Sequence, residues 1–355
     1  MIPLTTTLCQ DVCQDNRQDT CPDKGQKNES WQTELAQAYR DPIELLSALE
    51  LTPEQIPGGI STKNPFPLRV PRHYVARMQT GDPNDPLLLQ VLSRQLEQAD
   101  QPGFLLDPVG EGPATASPGL LHKYQGRVLL ITTGACPIHC RYCFRRHYPY
   151  SESRPDNRDW SNTMDYIAAD PSINEVILSG GDPLSLSNER LQAISNELAG
   201  IPHIRRLRLH TRMPIVLPER VDTGFKDWLS NLPWQTIVVT HCNHANEIDA
   251  QVSGALAELK ANGTTLLNQA VLLKGVNDNV AALVNLSEAL FKSGTLPYYL
   301  HLLDRVAGAA HFEVKEPTAL RLINEIQCHL PGFLVPKLVR EIAGKPHKIQ
   351  FFGAD

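Results

Sequence analysis

The segment Cys136-Pro-Ile-His-Cys140-Arg-Tyr-Cys143 carries three thiols at C-x3-C-x2-C spacing. Three thiolates at such spacing can hold three irons of a four-iron cubane, whose fourth iron then has no protein ligand. An iron with an open position can bind a small molecule and pass it an electron, whereas a fully ligated cluster only relays electrons. The spacing therefore predicts an iron–sulfur cluster that takes part in chemistry.

Zinc binding and disulfide formation are the alternative uses of these thiols. A structural zinc site needs four ligands, usually as two separated pairs, and the nearby candidates for a fourth are His139 and His147. A disulfide framework is typical of short secreted chains, and the start Met1-Ile-Pro-Leu-Thr-Thr-Thr lacks the basic and apolar parts of a signal peptide. The motif favours a cluster over both alternatives.

Five further cysteines lie outside this segment. Cys9, Cys13 and Cys21 begin with a C-x3-C step but continue with a seven-residue gap in a polar stretch. This pattern favours a flexible N-terminal tail over a second metal site. Cys242 and Cys328 fall in segments of apolar periodicity and are expected to be ordinary buried residues.

Length and composition predict a soluble globular protein. The chain has 355 residues, of which 41% are hydrophobic, and this is enough for a sizeable core. No stretch approaches the ~18 apolar residues of a membrane span, and eight cysteines without secretory features indicate a reducing cytoplasm. The net charge of −6 does not favour nucleic-acid binding, which usually needs a basic face. A local basic patch at Arg141, Arg145 and Arg146 is the exception.

The first 120 residues divide into two predicted regions. Residues 1–30 are expected to form a flexible tail, and residues 31–120 a Pro-rich, mostly helical region. Helical periodicity covers residues 31–39, 42–51 and 87–99. Asp41 and Asp85 each precede a proline, which is the pattern of an N-cap followed by Pro at the first helical position.

Residues 121–330 form the predicted core, in which short β-rich runs alternate with amphipathic helices as in repeated βα units. The predicted strands are 128–132, 175–179, 206–210, 236–241, 265–271 and 298–303, and the helices between them include 188–198, 246–261 and 278–292. Six such parallel strands either close partly into a barrel or lie open as a doubly wound sheet. In both arrangements the active site lies at the carboxyl ends of the strands.

Chemically suggestive residues follow these strands, so we expect them to share one mouth. They are the cysteine segment, Ser179-Gly180-Gly181-Asp182, Thr211-Arg212, His241 with Asn243, and Asp304. The two glycines lack side chains, which would let backbone groups approach a ligand closely, and Asp182 could then meet a cationic group. Alone, a Gly-Gly turn after a strand is a weak signal.

The cysteine segment after one strand and Ser-Gly-Gly-Asp-Pro-Leu after the next resemble the radical S-adenosylmethionine enzymes. The resemblance implies an α/β fold with a partial (β/α)6 barrel of the TIM type, an N-terminal helical extension and a short C-terminal cofactor-binding segment at 331–355. It also implies a [4Fe-4S] cluster on the three cysteines, whose open iron chelates S-adenosylmethionine and whose electron releases a 5′-deoxyadenosyl radical. The residues expected to bind S-adenosylmethionine are Ser179, Gly180, Gly181, Asp182, His241 and Asn243.

Five further segments narrow the resemblance to the lysine 2,3-aminomutase family. They are His122-Lys-Tyr-Gln-Gly-Arg127, Cys143-Phe-Arg-Arg-His147, Thr211-Arg-Met-Pro-Ile-Val-Leu-Pro218, Thr240-His-Cys-Asn-His-Ala-Asn-Glu247 and Asn268-Gln-Ala-Val-Leu-Leu-Lys-Gly-Val-Asn-Asp278. The resemblance covers about residues 100–350. It implies an isomerase that moves the amino group of L-α-lysine to the β-carbon by radical chemistry on pyridoxal 5′-phosphate.

This family joins pyridoxal phosphate to a lysine. The segment from Val335-Pro336 to Lys348 resembles the family's C-terminal motif and places Lys348 at that position. Lys345 is a nearby competitor, and only Gly344 remains of the family's glycine-rich run. The resemblance assigns the cofactor phosphate to Tyr124, Arg127 and Lys123. The family has Arg where this chain has Lys123.

Lysine bound to the cofactor presents an α-carboxylate at one end and an ε-ammonium at the other, so its site needs a guanidinium and carboxylates. Arg145 matches the family position for the first contact, and Asp304 with Glu341 match the positions for the second. Glu341 is one methylene longer than the family's Asp. An aminomutase for glutamate should carry a cation or an amide at these positions, whereas arginine would also suit two carboxylates.

Seven residues, 349–355, follow Lys348. In this the chain resembles the short bacterial form of the family, which supplies (R)-β-lysine for modification of translation elongation factor P by its lysyl ligase. The resemblance implies a cytoplasmic enzyme that needs an external one-electron reductant and could form a homo-oligomer. The alternatives are a radical aminomutase for arginine or glutamate and, outside enzymes, an iron–sulfur or zinc-binding regulatory module. Such a module predicts no cofactor lysine.

Overall fold

The fold is that of a computed structural model, which describes residues 31–62, 64, 66–150 and 157–352. The tail predicted at residues 1–30, with Cys9, Cys13 and Cys21, lies outside the described residues. Within the described ranges, no helix combines the length and the apolar character that crossing a membrane requires.

One ten-stranded sheet carries the fold, and its strands lie side by side in chain order. They are β1 Thr115–Ser117, β2 Leu120–Tyr124, β3 Arg127–Thr133, β4 Glu175–Gly180, β5 Arg206–Thr211, β6 Gln235–Thr240, β7 Thr265–Leu272, β8 Leu296–Leu302, β9 Lys337–Arg340 and β10 Ile349–Gln350. β3 to β9 pair in parallel, while β1, β2 and β10 pair antiparallel. Strands β3 to β8 are the six predicted ones, and their parallel order is confirmed.

The sheet curves into a partial barrel. Side chains from β3, β5 and β8 line the same internal cavity, which a flat sheet would not allow. Among the described strands no pairing joins β10 back to β1, so the barrel stays open. The predicted α/β fold with a partial barrel is confirmed, and the doubly wound open sheet, the other arrangement that the strand pattern allowed, is not formed.

Eleven α-helices lie in the described ranges. They are α1 Trp31–Ala36, α2 Pro42–Ala48, α3 Arg72–Val75, α4 Pro86–Leu89, α5 Asn157–Ala169, α6 Asn188–Ala199, α7 Met213–Val216, α8 Thr223–Ser230, α9 Ala250–Ala261, α10 Val280–Lys292 and α11 Glu316–Gln327. The two predicted N-caps are present, because Asp41 accepts from the Ile43 amide at 2.6 Å and Asp85 from the Leu87 amide at 2.8 Å.

The helices of the region 31–120 are shorter than their periodicity predicts. The stretch 87–99 contains only α4 and a short 3-10 turn, Gln95–Gln98. Between them the chain bends so that the Ser61 amide donates to Ser93 O at 3.0 Å and the Gln95 amide to Gly59 O at 3.3 Å. These tertiary bonds replace the helical ones, and propensity over a short stretch does not resist such competition.

Alternating burial along β5 explains why the concave side of the sheet is polar. Leu207 and Leu209 are fully buried in the hydrophobic core, whereas Arg208 and His210 point to the other side and line the cavity. On β8, Tyr299 and His301 line the same cavity. The barrel therefore offers a polar interior to a ligand.

The two cysteines predicted to be buried differ in the structure. Cys242 is fully buried, as expected, but Cys328 is exposed. Cys328 caps the end of α11, whose buried stripe ends at Ile326. Cys328 lies off that stripe because side chains two positions apart on a helix point to different faces.

Candidate functional site

An internal cavity of ≈ 390 Å³ lies inside the curve of the sheet. All the predicted site residues except Asn243 line it, namely Lys123, Tyr124, Arg127, Cys136, Cys140, Cys143, Arg145, Ser179, Gly180, Gly181, Asp182, His241, Asp304, Glu341 and Lys348. The structure thus brings together residues that are up to 225 positions apart, from 123 to 348.

The cysteine segment is a loop that the N-terminal region holds in place. The His139 amide donates to Arg69 O at 3.0 Å and the Arg141 amide to Gln90 O at 2.8 Å. Burial raises the pKa of the Cys143 thiol to about 11, and it raises that of Cys136 as well. Iron would have to displace these protons on binding.

The donor set fits a cluster. In the described ranges, no three His, Cys, Asp or Glu side chains converge on one point as the ligands of a single ion would. A cubane instead takes one thiolate on each of several irons, so its ligands stand further apart. Three thiols on one short loop that faces the cavity have this arrangement.

Asn243 does not reach the cavity. Its amide group donates to the Tyr142 hydroxyl at 2.7 Å and to Gln90 Oε1 at 3.0 Å, and its oxygen accepts from the Val271 amide at 2.8 Å. All these bonds are buried or partly buried, so they fix Asn243 beneath the cysteine loop rather than toward a ligand.

The Gly-Gly-Asp turn lines the cavity and also supports the cysteine loop. Gly181 donates its amide to Thr133 O at 2.6 Å, and Asp182 donates its amide to Ala135 O at 2.8 Å. A Cβ on Gly180, whose φ is +125°, would lie 2.5 Å from Thr133 O, and a Cβ on Gly181 would lie 2.3 Å from Ala135 O. The glycines are needed because the backbone leading into the cysteine loop packs directly on this turn.

The Asp182 carboxylate meets hydroxyl and amide donors, not a cationic group. It accepts from the Thr211 hydroxyl at 2.7 Å and from the Leu184 and Arg212 amides at 3.0 and 2.7 Å. Although these donors favour the ionised form, burial dominates and raises the pKa of Asp182. These bonds join the ends of two neighbouring strands, and the contact of Asp182 with a cationic group of a ligand stays a prediction.

Arg145 meets a carboxylate of the chain itself. Its guanidinium forks onto Glu111, with Nε to Oε2 at 2.8 Å and NH2 to Oε1 at 2.7 Å. NH1 donates to Ser179 Oγ at 3.1 Å and to Gly180 O at 3.0 Å. Glu111 belongs to no motif that we recognised in the sequence, and its distance of 34 positions from Arg145 gave no signal.

Glu341 lies between two lysines. Lys123 Nζ donates to Glu341 Oε1 at 2.8 Å, and Lys348 Nζ contacts Oε2. Burial opposes ionisation of this carboxyl, but the two ammonium groups together lower the pKa of Glu341 to about 2. The Tyr124 ring lies against the Arg127 guanidinium, 4.5 Å from its central carbon. The residues expected to bind the cofactor phosphate therefore lie next to Glu341, which is expected to bind the ammonium group of the substrate.

Asp304 carries the unpaired carboxylate of the cavity. Its Oδ1 is buried and has no hydrogen-bond partner in the described part of the chain. Burial, followed by the charge of Glu341, raises the pKa of Asp304 to about 7. A buried carboxylate without a partner is costly unless a ligand supplies one.

Five histidines line the cavity, namely His139, His210, His241, His301 and His347, and of these only His241 was a predicted site residue. His210 and His301 belong to β5 and β8 and point inward. Burial lowers the pKa of His210 and of His301 well below the usual value, and it lowers that of His241 to about 4, so all three rings are neutral. The alternation of polar and apolar residues along β5 was the available signal for His210.

Comparison with known proteins agrees with the motifs. The chain matches the Radical SAM superfamily over residues 130–226. It is 48% identical over 321 residues to the L-lysine 2,3-aminomutase of Escherichia coli (strain K12), a match that covers 90% of this chain and 94% of that protein. The protein of the same name from Haemophilus influenzae is 46% identical over 322 residues, which are 91% of this chain and 95% of that protein.

A more distant relative has the same name. The L-lysine 2,3-aminomutase of Clostridium subterminale is 33% identical over 318 residues, which are 88% of this chain and 76% of that protein. Among solved structures, a radical SAM methyltransferase from Sphaerobacter thermophilus has a TM-score of 0.44 at 14% identity over 63% of this chain and 71% of that chain. The sequence relationship, extending over nearly the whole chain, decides the assignment. The chain belongs to the lysine 2,3-aminomutase family of radical S-adenosylmethionine enzymes.

Proposed function

We propose that this protein is a lysine 2,3-aminomutase, an isomerase that converts L-α-lysine to β-lysine. One observation carries the choice of substrate, namely the buried Asp304 Oδ1 that lacks a partner in a cavity already containing Glu341. A substrate whose side chain ends in an ammonium group would supply the missing donors. Two carboxylates at this end of the cavity disfavour an acidic substrate.

The family implies a [4Fe-4S] cluster, S-adenosylmethionine and pyridoxal phosphate. When bound, they supply a carbon-centred radical that abstracts hydrogen and a carrier for the migrating amino group. Cys136, Cys140 and Cys143 would hold the cluster. The residues that would surround S-adenosylmethionine are Ser179, Gly180, Gly181, Asp182 and His241. Lys348 would attach pyridoxal phosphate covalently, and Lys123, Tyr124 and Arg127 would lie near its phosphate. Asn243 acts behind the cysteine loop.

Arg145 would attract the α-carboxylate of the substrate. Its guanidinium is held in one orientation by Glu111 and by Ser179, so little side-chain entropy remains to be lost when an anion arrives. The four hydrogen bonds to Glu111, Ser179 and Gly180 use four of the five guanidinium N–H groups, which leaves one N–H on Nη2 for an incoming carboxylate. Glu111 is therefore a positioning residue for Arg145.

Asp304 and Glu341 would hold the ε-ammonium. Lys123 Nζ and Lys348 Nζ each contact one oxygen of Glu341, and covalent attachment of pyridoxal phosphate to Lys348 would free Oε2 for the substrate ammonium. Because these two carboxylates and Arg145 line one cavity, they can bind the two ends of the same zwitterionic amino acid. Binding both ends of the substrate would restrict the orientation in which its carbon chain faces the cysteine loop.

The test is an anaerobic assay of protein reconstituted with iron and sulfide. The mixture contains a low-potential reductant, S-adenosylmethionine, pyridoxal phosphate and either lysine, arginine or glutamate. We expect β-lysine from lysine and no comparable turnover of the other two amino acids. Turnover of arginine or glutamate with no β-lysine would overturn the substrate assignment, and a protein without iron and sulfide would favour a zinc module.

The product would serve protein modification. We propose that it is (R)-β-lysine, made in the cytoplasm with electrons from an external one-electron donor and used by the lysyl ligase that modifies elongation factor P. We also propose that residues 331–355 form a cofactor segment attached to a core at 121–330. Chiral chromatography of the product tests its configuration. The mass of elongation factor P from cells that lack this chain tests the link, and an unchanged mass would contradict it.

A further inference from the structure

Arg212 contacts a thiol of the cysteine motif. Its NH1 lies 2.7 Å from Cys140 Sγ and 3.0 Å from the Tyr142 hydroxyl, and the arginine is only 5% exposed. In the described part of the chain it is the one charged side chain that donates a hydrogen bond to a sulfur of this motif. Thr211-Arg212 is one of the segments expected at the mouth, and neither residue has a part in the proposed reaction.

A buried network holds Arg212 in this position. Its NH2 donates to Glu247 Oε2 at 2.8 Å, Gln90 Oε1 at 2.8 Å and the Tyr74 hydroxyl at 3.0 Å. Glu247 has no exposed surface, and its second oxygen accepts from the Asn243 amide at 2.9 Å. At the other end, the Arg212 amide donates to Asp182 at 2.7 Å. The guanidinium is therefore fixed between Glu247 and Cys140, and the backbone of Arg212 is bound to the Gly-Gly-Asp turn.

The charges of Arg212 and Glu247 affect how readily a cluster on the three cysteines takes up an electron. Adding one electron makes the cluster more negative, so a fixed cation at a ligating sulfur stabilises the reduced form more than the oxidised form. Hydrogen bonds to cluster sulfurs and nearby net charge are established determinants of reduction potential. Screening by water is weak where the side chains are buried. Glu247 lies beyond Arg212 as seen from Cys140, so its charge acts in the opposite direction and from further away.

We propose that Arg212 is a positioning residue that raises the midpoint potential of the cluster through Cys140, and that Glu247 limits this rise. The inference rests on the proposed function, because it requires a cluster on the three cysteines. The step concerned is the uptake of one electron from an external one-electron reductant, and no bond to the protein forms or breaks in it. The segments that contain Arg212 and Glu247 would therefore set the midpoint potential of the cluster, a role separate from substrate binding.

The test is a reductive titration of reconstituted protein with dithionite, followed by the paramagnetic resonance signal of the reduced cluster. We expect Arg212→Gln to shift the midpoint potential to more negative values and Glu247→Gln to shift it to more positive values. Arg206→Gln is the matched control, since Arg206 begins β5, the strand that ends just before Arg212, pairs with Glu175 at 3.2 Å and lies at the far end of that strand from the thiols. We expect no shift in that variant.

Two further variants guard against misfolding. Arg212→Gln/Glu247→Gln removes both charges and leaves no unpaired buried carboxylate, and we expect its potential to lie between those of the single variants. Arg212→Lys retains the charge, and we expect a smaller shift than in Arg212→Gln. If Arg212→Gln does not fold, the other two variants still test the proposal, which would be overturned if both the double variant and Glu247→Gln had the wild-type midpoint potential. It would also be overturned if the midpoint potential shifted in the same direction in every variant.

The titration separates the two proposals. It contains no lysine and no pyridoxal phosphate, so a failure to make β-lysine leaves the potentials measurable. Iron and sulfide content, determined on each sample first, shows whether a cluster is present. A wild-type protein that takes up no cluster would overturn both proposals, whereas a loaded protein with unshifted variants would overturn only the role of Arg212.

Discussion

The guanidinium of Arg145 donates two parallel hydrogen bonds to the carboxylate of Glu111, at 2.8 and 2.7 Å. The two side chains are 6% and 5% exposed, so the pair is buried. A residue for which the sequence offered no motif thus determines how the predicted carboxylate-binding arginine is oriented. Because a buried charge needs its partner, the pair should also matter for folding.

Glu111→Gln should lower the free energy of unfolding by roughly 3 kcal/mol, because it leaves the Arg145 charge buried without its counter-charge. Chemical unfolding followed by circular dichroism measures the change. The control is Glu325→Gln, since Glu325 forms a pair of similar length with Arg321 at 2.7 Å but both side chains are exposed. That variant should lose less than about 0.5 kcal/mol. Equal losses in the two variants would contradict the importance of burial here.

Gly181→Ala should prevent the cysteine loop from packing on the Gly-Gly-Asp turn. The new Cβ would lie 2.3 Å from Ala135 O, so the backbone before the loop must move. We expect a loss of roughly 2 kcal/mol in stability and a lower iron content after reconstitution. Gly254→Ala on α9 is the control, because nothing lies within 4 Å of its added Cβ. It should be neutral or stabilising by about 1 kcal/mol, and normal iron binding by Gly181→Ala would contradict the packing role.

The core strands could be predicted because each carries its own signal. A run such as Glu175-Val-Ile-Leu-Ser is short and apolar, and parallel pairing buries all of β4. The N-terminal helices could be located but not delimited, since contacts such as Ser61 to Ser93 depend on parts of the chain that meet only after folding. Local helix propensity contains no information about such tertiary contacts.

The site could be predicted where a motif determines chemistry, and less well where packing decides. The cysteine spacing implies a cluster directly. Lys348 was predicted because the segment that begins at Val335-Pro336 resembles the C-terminal motif of the family. The bonds of Asp182 to the Thr211 hydroxyl and the Arg212 amide could not be predicted, because they depend on how two neighbouring strands end side by side. Glu111 and the inward-facing His301 could not be singled out, because each is one polar residue in a segment without a distinctive pattern.

Lys348→Ala should abolish the absorbance of covalently attached pyridoxal phosphate while iron and sulfide content stay unchanged. Lys348 lines the cavity and contacts Glu341, whereas Lys345 is exposed and does not line it. Lys345→Ala is therefore the control and should retain the absorbance. The spectrum of each variant after addition of the cofactor and removal of the excess measures this. Loss in Lys345→Ala with retention in Lys348→Ala would show that the other lysine holds the cofactor.

Asp304 should make stability depend on pH. Its pKa is about 7 in the folded protein against 3.8 for an ordinary aspartate, so between pH 4 and 7 the folded form keeps a proton that the unfolded chain releases. The resulting stabilisation is present at low pH and is lost as pH rises toward 7. Asp304→Asn cannot ionise, so its stability relative to wild type should increase across this window by roughly 2 kcal/mol or more. Unfolding midpoints measured without lysine or cofactors test this, and parallel pH profiles would contradict it.

Lys123 and Glu341 should act on lysine turnover as a coupled pair. Their contact at 2.8 Å is partly buried, with 15% of each side chain exposed. Glu341→Asp withdraws the carboxylate by one methylene and breaks this contact, so kcat/KM for lysine should fall about tenfold, which corresponds to ~1.4 kcal/mol. Lys123→Arg has a longer reach and can restore the contact to a shortened partner. The double variant should therefore recover most of the loss.

A double-mutant cycle on kcat/KM measures this coupling, which we expect to be on the order of 1 kcal/mol. The control pair is Lys226 and Glu258, which contact at 2.7 Å on the surface with 30% and 53% exposure. Glu258→Asp should leave turnover unchanged. Additive effects of Lys123→Arg and Glu341→Asp would mean that Lys123 acts on the cofactor phosphate alone. Recovery in the double variant would mean that Lys123 also orients the carboxylate that receives the substrate ammonium.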